Sequence, residues 1–128
     1  MKLKAIATDK APAAIGPYSQ AVQAGELLFC SGQIPLDPAT GEMVGEDVGD
    51  QARQVMANIR ATLAAAGAGF DDVIKSTIFL VDMAYFSEVN EVYGSCFGNH
   101  KPARSTVAVK GLPRGALLEI EVIATVQE

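Results

Sequence analysis

The stretch from Pro102 to Ala124, PARSTVAVKGLPRGALLEIEVIA, constrains this chain most. Val107 and Val109 alternate with Thr106, Ala108 and Lys110. Further on, Leu118, Ile120, Val122, Ala124 and Val126 alternate with Leu117, Glu119, Glu121, Ile123 and Thr125. A period of two sends successive side chains to opposite faces of a strand, so each run buries one face. Gly111, Pro113 and Gly115 supply turn chemistry between the runs. The simplest reading is a hairpin of two neighbouring strands. With Val107 and Val109 turned to the core and Lys110 paired with Leu117, one sheet face carries Arg104, Thr106, Glu119 and Glu121. Apolar Ala108, Leu117 and Ile123 share it. Such a face is too apolar for a plain solvent surface and too charged for a core. It predicts a polar pocket inside a protein contact.

The remaining chain supplies the elements that surround this stretch. Residues 2–7 alternate as a first strand, and Ala21–Gln23 and Leu27–Ser31 read as a short hairpin around Ala24, Gly25 and Glu26. Asp50–Ala66 repeats apolar residues at helical spacing through Ala52, Val55, Met56, Ile59, Leu63 and Ala66. Asp47 or Asp50 caps its start and Gly67 its end. Val73–Val81 is β-branched and apolar, as an interior strand is. A second helix starts between Met83 and Ser87 and runs to about Phe97, with Phe86, Val89, Val92 or Tyr93, and Cys96 inward. The order β, ββ, α, β, α, ββ predicts an α+β sandwich with both helices on one sheet face. The opposite face is then uncovered and half apolar, which calls for a partner. At 128 residues the chain is read as a single domain spanning 1–128.

Composition excludes several functions. The net charge of −5, with scattered basic residues, gives no footprint for nucleic acid. No apolar run approaches the roughly 20 residues of a membrane helix, and the apolar stretch near Met1 is too short for a signal peptide. A cytosolic protein is expected. A mean hydropathy of +0.21 is high for a small soluble monomer and again suggests subunit contacts. Cys30 and Cys96 form no CxxC pair, and His100 is the only histidine, so no metal site is expected. Both cysteines are read as buried thiols and His100 as a solvated loop residue.

Two loops draw attention. In GPYSQA, at residues 16–21, Gly16 and Pro17 present Tyr18 from a stiff segment. Its ring either fills the core or offers a hydroxyl to a pocket; on this stretch alone the core reading is preferred. In SGQIPLDPATGE, at residues 31–42, Ser31 and Gly32 stand at a strand end where backbone can approach a ligand. No base neighbours Ser31, so a ligand-contacting hydroxyl is expected rather than a nucleophile. Asn90, inside the second helix, is either exposed or reaches into a polar site.

GPYSQA, SGQIP and PARSTVAV…LPRGALLEIEVIA, in this order, resemble the RidA (YjgF/UK114-type) family over essentially the whole chain. The resemblance implies a chorismate-mutase-like α+β fold, a homotrimer with the uncovered sheet face in its interface, and ligand clefts between subunits. It implies hydrolytic deamination of reactive 2-enamine or 2-imino acids, such as pyridoxal-phosphate dehydratases release from serine or threonine, with 2-oxo acids as products and no cofactor. Position by position it implies Arg104 as the carboxylate-binding cation and Glu119 as the acid–base group. Tyr18, Ser31, Gly32 and Asn90 become cleft residues. Thr106 stands where many members carry Cys, which bears on substrate preference more than on hydrolysis.

An arginine and a glutamate on one sheet face most often make only an ion pair; the resemblance moves Arg104 and Glu119 to chemistry. Two other roles reported in the family are a small-carboxylate sensor and a holdase-like chaperone. A third, RNA cleavage, is disfavoured by the charge.

Overall fold

The structure, a computed structural model, describes residues 2–128. Its six strands form one mixed sheet in the order β1-β2-β3-β6-β4-β5. They are β1 (Leu3–Ile6), β2 (Ala21–Ala24), β3 (Leu27–Cys30), β4 (Val73–Leu80), β5 (Ala103–Ala108) and β6 (Leu118–Thr125). Two α-helices, α1 (Val48–Ala65) and α2 (Phe86–Ser95), cover one face. The α+β expectation, with both helices on one side, holds.

Local chemistry sets the elements. Gly25, at φ 62°, turns the β2–β3 hairpin. Asp47 caps α1, its carboxylate accepting from the Asp50 N–H at 2.8 Å, and Gly67, at φ 77°, ends it. The buried stripe Ala52, Val55, Met56, Ile59 and Leu63 of α1 packs on Leu28, Ile78, Leu118, Ile120 and Val122. Alternation in β6 is read out faithfully: Leu118, Ile120, Val122 and Ala124 are buried, and Glu119, Glu121 and Ile123 are half-buried on the open face. Cys30 is buried, and burial pushes its thiol pKa up to about 12. Cys96 is only half-buried. His100 is exposed, with Nε2 2.6 Å from the Val73 carbonyl oxygen, so it tethers the loop before β5 to the start of β4.

One expectation fails. β5 and β6 are not neighbours: β4 lies between them, parallel to β5 and antiparallel to β6. The helix α2 between β4 and β5 is the crossover that a parallel pair requires. The segment after β5 then passes over the end of β4, which both flanking chains hold: Val109 N–H donates to the Leu80 carbonyl and Val81 N–H to the Leu117 carbonyl.

This topology reverses the parity of β5. Ile78 aligns with Thr106 on one side and Ile120 on the other, and Ser76 aligns with Arg104 and Val122. Arg104 and Thr106 therefore lie on the helix-covered face. Val107 aligns with Phe79 and Glu119 on the open face, where it is 43% exposed. The valines of β5 do not face the core, and Arg104 and Glu119 do not share a face.

The open face is half apolar, as expected. Phe29 is 45% exposed and Leu27 39%, alongside Val107 and the half-buried Ile123. Glu119, Glu121, Lys75 and Ser105 interrupt them, and the Lys75 Nζ donates to the Ser105 Oγ at 2.9 Å.

Candidate functional site

The functional candidates divide between two clefts. The first is a space of about 410 Å³ where β6 begins, lined by Tyr18, Ser31, Gly32, Gln33, Pro113 and Glu119 among others. β6 delivers Glu119 to it. The loop leaving β3 runs alongside, because Gln33 and Ile120 exchange both backbone hydrogen bonds, at 2.9 and 3.2 Å. Gly32 sits against the Glu119 carboxylate, and a Cβ at that position would overlap Oε2. A side chain here would force the Glu119 carboxylate to move, so close approach rather than backbone angle favours glycine.

Burial raises the Glu119 pKa above the ordinary carboxylate value, and repulsion from Glu121 adds to it. A carboxyl tuned upward exchanges a proton more readily near neutral pH than a free one does. The Ser31 Oγ donates to the Ser19 carbonyl oxygen at 2.6 Å, which occupies its proton. Ser31 is thus no activated nucleophile. Tyr18 is 55% exposed and lines the cleft, so the core reading of its ring is wrong. Pro17 and the Gly16 backbone, at φ 129°, shape the loop that presents the ring.

Helix α1 fixes this cleft from behind. Its buried Asn58 donates to the Leu36 carbonyl oxygen at 3.0 Å, and the Gln51 Oε1 accepts from the Leu117 N–H at 3.0 Å. These polar residues inside an apolar stripe carry no chemistry, yet they clamp both loops that frame Glu119.

The second cleft, about 400 Å³, is lined by Asn90, Tyr93, Gly94, Phe97, Lys101, Pro102 and Arg104. The Arg104 Nη1 donates to the Asn90 Oδ1 at 2.6 Å. Its guanidinium carbon lies 5.1 Å from the Tyr93 ring centroid and 5.4 Å from that of Phe86. The Tyr93 hydroxyl in turn donates to the Ser76 Oγ at 2.8 Å, which locks the ring. Burial raises the Tyr93 pKa, while the Ser76 bond and the Arg104 charge pull it down. One guanidinium N–H is spent on Asn90, and the remaining donors can meet a carboxylate in a fork.

Asn90, read from the sequence as either exposed or reaching into a polar site, is exposed and lines the cleft, while Phe86 and Tyr93 were read only as inward-facing helix residues. Tyr93 stands at i+3 from Asn90, on the same helix face, and that spacing carried the signal. Thr106 lies two residues from Arg104 on the same face. Its Oγ1 is buried and has no hydrogen-bond partner among the described residues.

The two clefts share no lining residue. Arg104 and Asn90 are together, and Tyr18, Ser31, Gly32 and Glu119 are together, on opposite sides of one sheet. Among the described residues no cluster of His, Cys, Asp and Glu is arranged to hold a metal ion, and no helix is long and apolar enough to cross a membrane.

Fold and clefts together define a small α+β protein with two recesses of small-molecule size, each carrying a few polar groups. The chain belongs to the RidA (YjgF/UK114-type) family: the family profile described as Endoribonuclease L-PSP matches residues 8–126. It is 59% identical over 126 residues to Protein DfrA of Myxococcus xanthus, covering 97% of this chain and 96% of that protein. It is 49% identical over 121 residues to the mouse 2-iminobutanoate/2-iminopropanoate deaminase, covering 94% of this chain and 90% of the relative. Among solved structures, E. coli TdcF with bound serine superposes with a TM-score of 0.90 at 48% identity, covering 95% of this chain and 98% of TdcF.

Proposed function

We propose that this chain hydrolyses 2-imino acids to 2-oxo acids and ammonia, in a homotrimer whose sites lie between subunits. The observation that carries the reading is the division of the machinery. The Arg104 guanidinium and the Glu119 carboxyl, whose pKa burial raises, line separate clefts on opposite sides of one sheet. One ligand meets both only when the Arg104 cleft of one copy closes on the Glu119 cleft of the next. The exposed Phe29, Leu27 and Val107 give the open face a reason to be covered. Membership of the family and the deaminase among the relatives support the reaction.

In this reading the Arg104 fork holds the substrate carboxylate, with Asn90, Phe86 and Tyr93 fixing the guanidinium. The electrophilic C2 then points at the opposed Glu119. A protonated imine is activated already, so positioning and one acid–base group suffice. Glu119 takes a proton from water as the C–O bond forms and the C=N π pair moves onto nitrogen. It returns that proton to the nitrogen of the carbinolamine. The C–N bond breaks, its electron pair leaves with ammonia, and loss of the hydroxyl proton gives the 2-oxo acid. Tyr18, Ser31 and the Gly32 backbone orient substrate and water. The Thr106 hydroxyl, two residues from Arg104, is sealed away from the cleft and takes no part in these steps.

The test is a coupled assay in which a serine or threonine dehydratase generates the imine and 2-oxo acid appearance is followed. The protein accelerates that step, and Arg104→Ala abolishes the gain. Unchanged rates with both imines refute the reading. RNA cleavage, which the family profile's description mentions, is disfavoured by the net charge of −5.

A further inference from the structure

The SGQ motif places a third residue in the Glu119 cleft to which the hydrolysis just described gives no part. Gln33 lines the cleft and is 7% exposed. Its backbone is pinned on both sides to Ile120, the residue after Glu119. Its carboxamide makes no hydrogen bond to any described residue, and it is not among the sealed, unpartnered atoms, so it opens toward the cleft.

The contrast with its neighbours is chemical. Gln20, another buried amide of the same cleft, is fully spent: Oε1 accepts from the Thr8 N–H at 2.7 Å, and Nε2 donates to the Ala11 and Pro12 carbonyls. The Ser31 proton is spent on Ser19. That leaves the Glu119 carboxyl, the Tyr18 phenol and the Gln33 amide to serve a ligand. Unpartnered in the chain and open to the cleft, the Gln33 amide keeps its donors and its acceptor for a ligand group.

A protonated imine carries two N–H donors, whereas the 2-oxo acid carries none. Two acceptors are therefore needed beside the nitrogen, and Glu119 is one. We propose that the Gln33 Oε1 is the other: a contact that recognises the nitrogen of the bound acid and sets preference for nitrogen-bearing ligands over oxo acids. This rests on the hydrolase reading for the identity of the ligand, and on the cleft alone for the contact.

The experiment uses the assembled protein and two stable probes with one carbon skeleton, 2-aminobutanoate and 2-oxobutanoate. Calorimetric binding is measured for wild type and Gln33→Met, a substitution of similar length without hydrogen-bonding atoms, alongside kcat/KM in the coupled assay. The expected result is a loss of about tenfold or more in affinity for the amino acid and in kcat/KM, with oxo-acid affinity held within about threefold. Equal losses for both probes indicate packing alone and overturn the proposal, as does no loss for either.

If Gln33→Met fails to fold, Gln33→Glu keeps an acceptor oxygen. It is expected to retain amino-acid binding, and its loss overturns the proposal. A wild type that binds both probes but hydrolyses no imine defeats the hydrolase reading and leaves the Gln33 contact to the binding data. A wild type that binds neither defeats both.

Discussion

The two clefts are built on different principles. The Glu119 cleft is framed by loops tied to a central strand: β6 lies inside the sheet, Gln33 pairs with Ile120, and from α1 Asn58 holds the Leu36 carbonyl and Gln51 the Leu117 N–H. The Arg104 cleft sits on the edge strand β5, and its cation is held by side chains of α2. The first tunes a proton by burial. The second keeps a permanent charge accessible and aims it with one amide and two rings. A group that must exchange protons is best placed in a rigid, partly desolvated corner, and a group that must capture a diffusing anion is best left at an edge. On the proposed reading, the separation makes each cleft half a site.

The largest expected effect comes from the proton-handling half. Glu119→Gln removes the acid–base group and should lower kcat by roughly 10²–10⁴-fold, with little change in the affinity for 2-oxobutanoate. It also tests the raised pKa. A carboxyl whose pKa is higher folded than unfolded contributes stability that is present in full below the ordinary carboxylate range. That contribution is lost as pH rises through the raised value. Thermal unfolding should therefore show wild type losing stability relative to Glu119→Gln as pH climbs through that window, and a constant offset above it. A pH-independent difference would mean that Glu119 is an ordinary surface acid.

The binding half should respond differently. Arg104→Lys keeps the charge but loses the planar fork and its stacking, so KM should rise by roughly 10–100-fold while kcat falls less. A variant with unchanged KM would detach Arg104 from the substrate carboxylate. Gly32→Ala pushes a methyl into the Glu119 carboxylate. It should cost about 1–3 kcal/mol of stability by overpacking and lower kcat about tenfold with KM nearly constant, since only one half is disturbed. The smallest effect belongs to Thr106→Val. Removing a buried hydroxyl without a partner in the chain should leave unfolding unchanged or raise stability by about 1 kcal/mol. A loss larger than that would show that a ligand or a neighbouring subunit completes the Thr106 hydrogen bond.

Much of this was legible in the sequence, and the failures have one origin. Helix positions, the β2–β3 hairpin, the alternation of β6 and the open half-apolar face all follow from periodicity and capping, which are local. The face of β5 is not local. Its valines alternate as a core-facing strand would, but β5 is an edge strand whose parity is dictated by pairing with β4. The signal was the helix between β4 and β5, since a strand, helix, strand order is how a parallel pair closes. Reading residues 102–124 as a hairpin put Arg104 and Glu119 on one face of one chain. The crossover moves them to opposite faces, and the proposed reaction then requires two copies to bring them to one ligand. Tyr18 was misread for a similar reason: its exposure depends on the cleft that residues 31–36 and Pro113 build around it, far away in sequence.

The most direct test of the split site is complementation. Arg104→Ala and Glu119→Gln chains, each inactive alone, are unfolded together in equal amounts and reassembled. If each site takes its arginine and its glutamate from different copies, random reassembly restores about a quarter of the wild-type sites, and 2-oxo acid formation returns to that level. The double variant mixed with either single variant should recover none, since one of the two residues is then missing from every chain. No recovery in the mixture of single variants, despite normal assembly, would mean that both residues act from one chain and would contradict the division of the site.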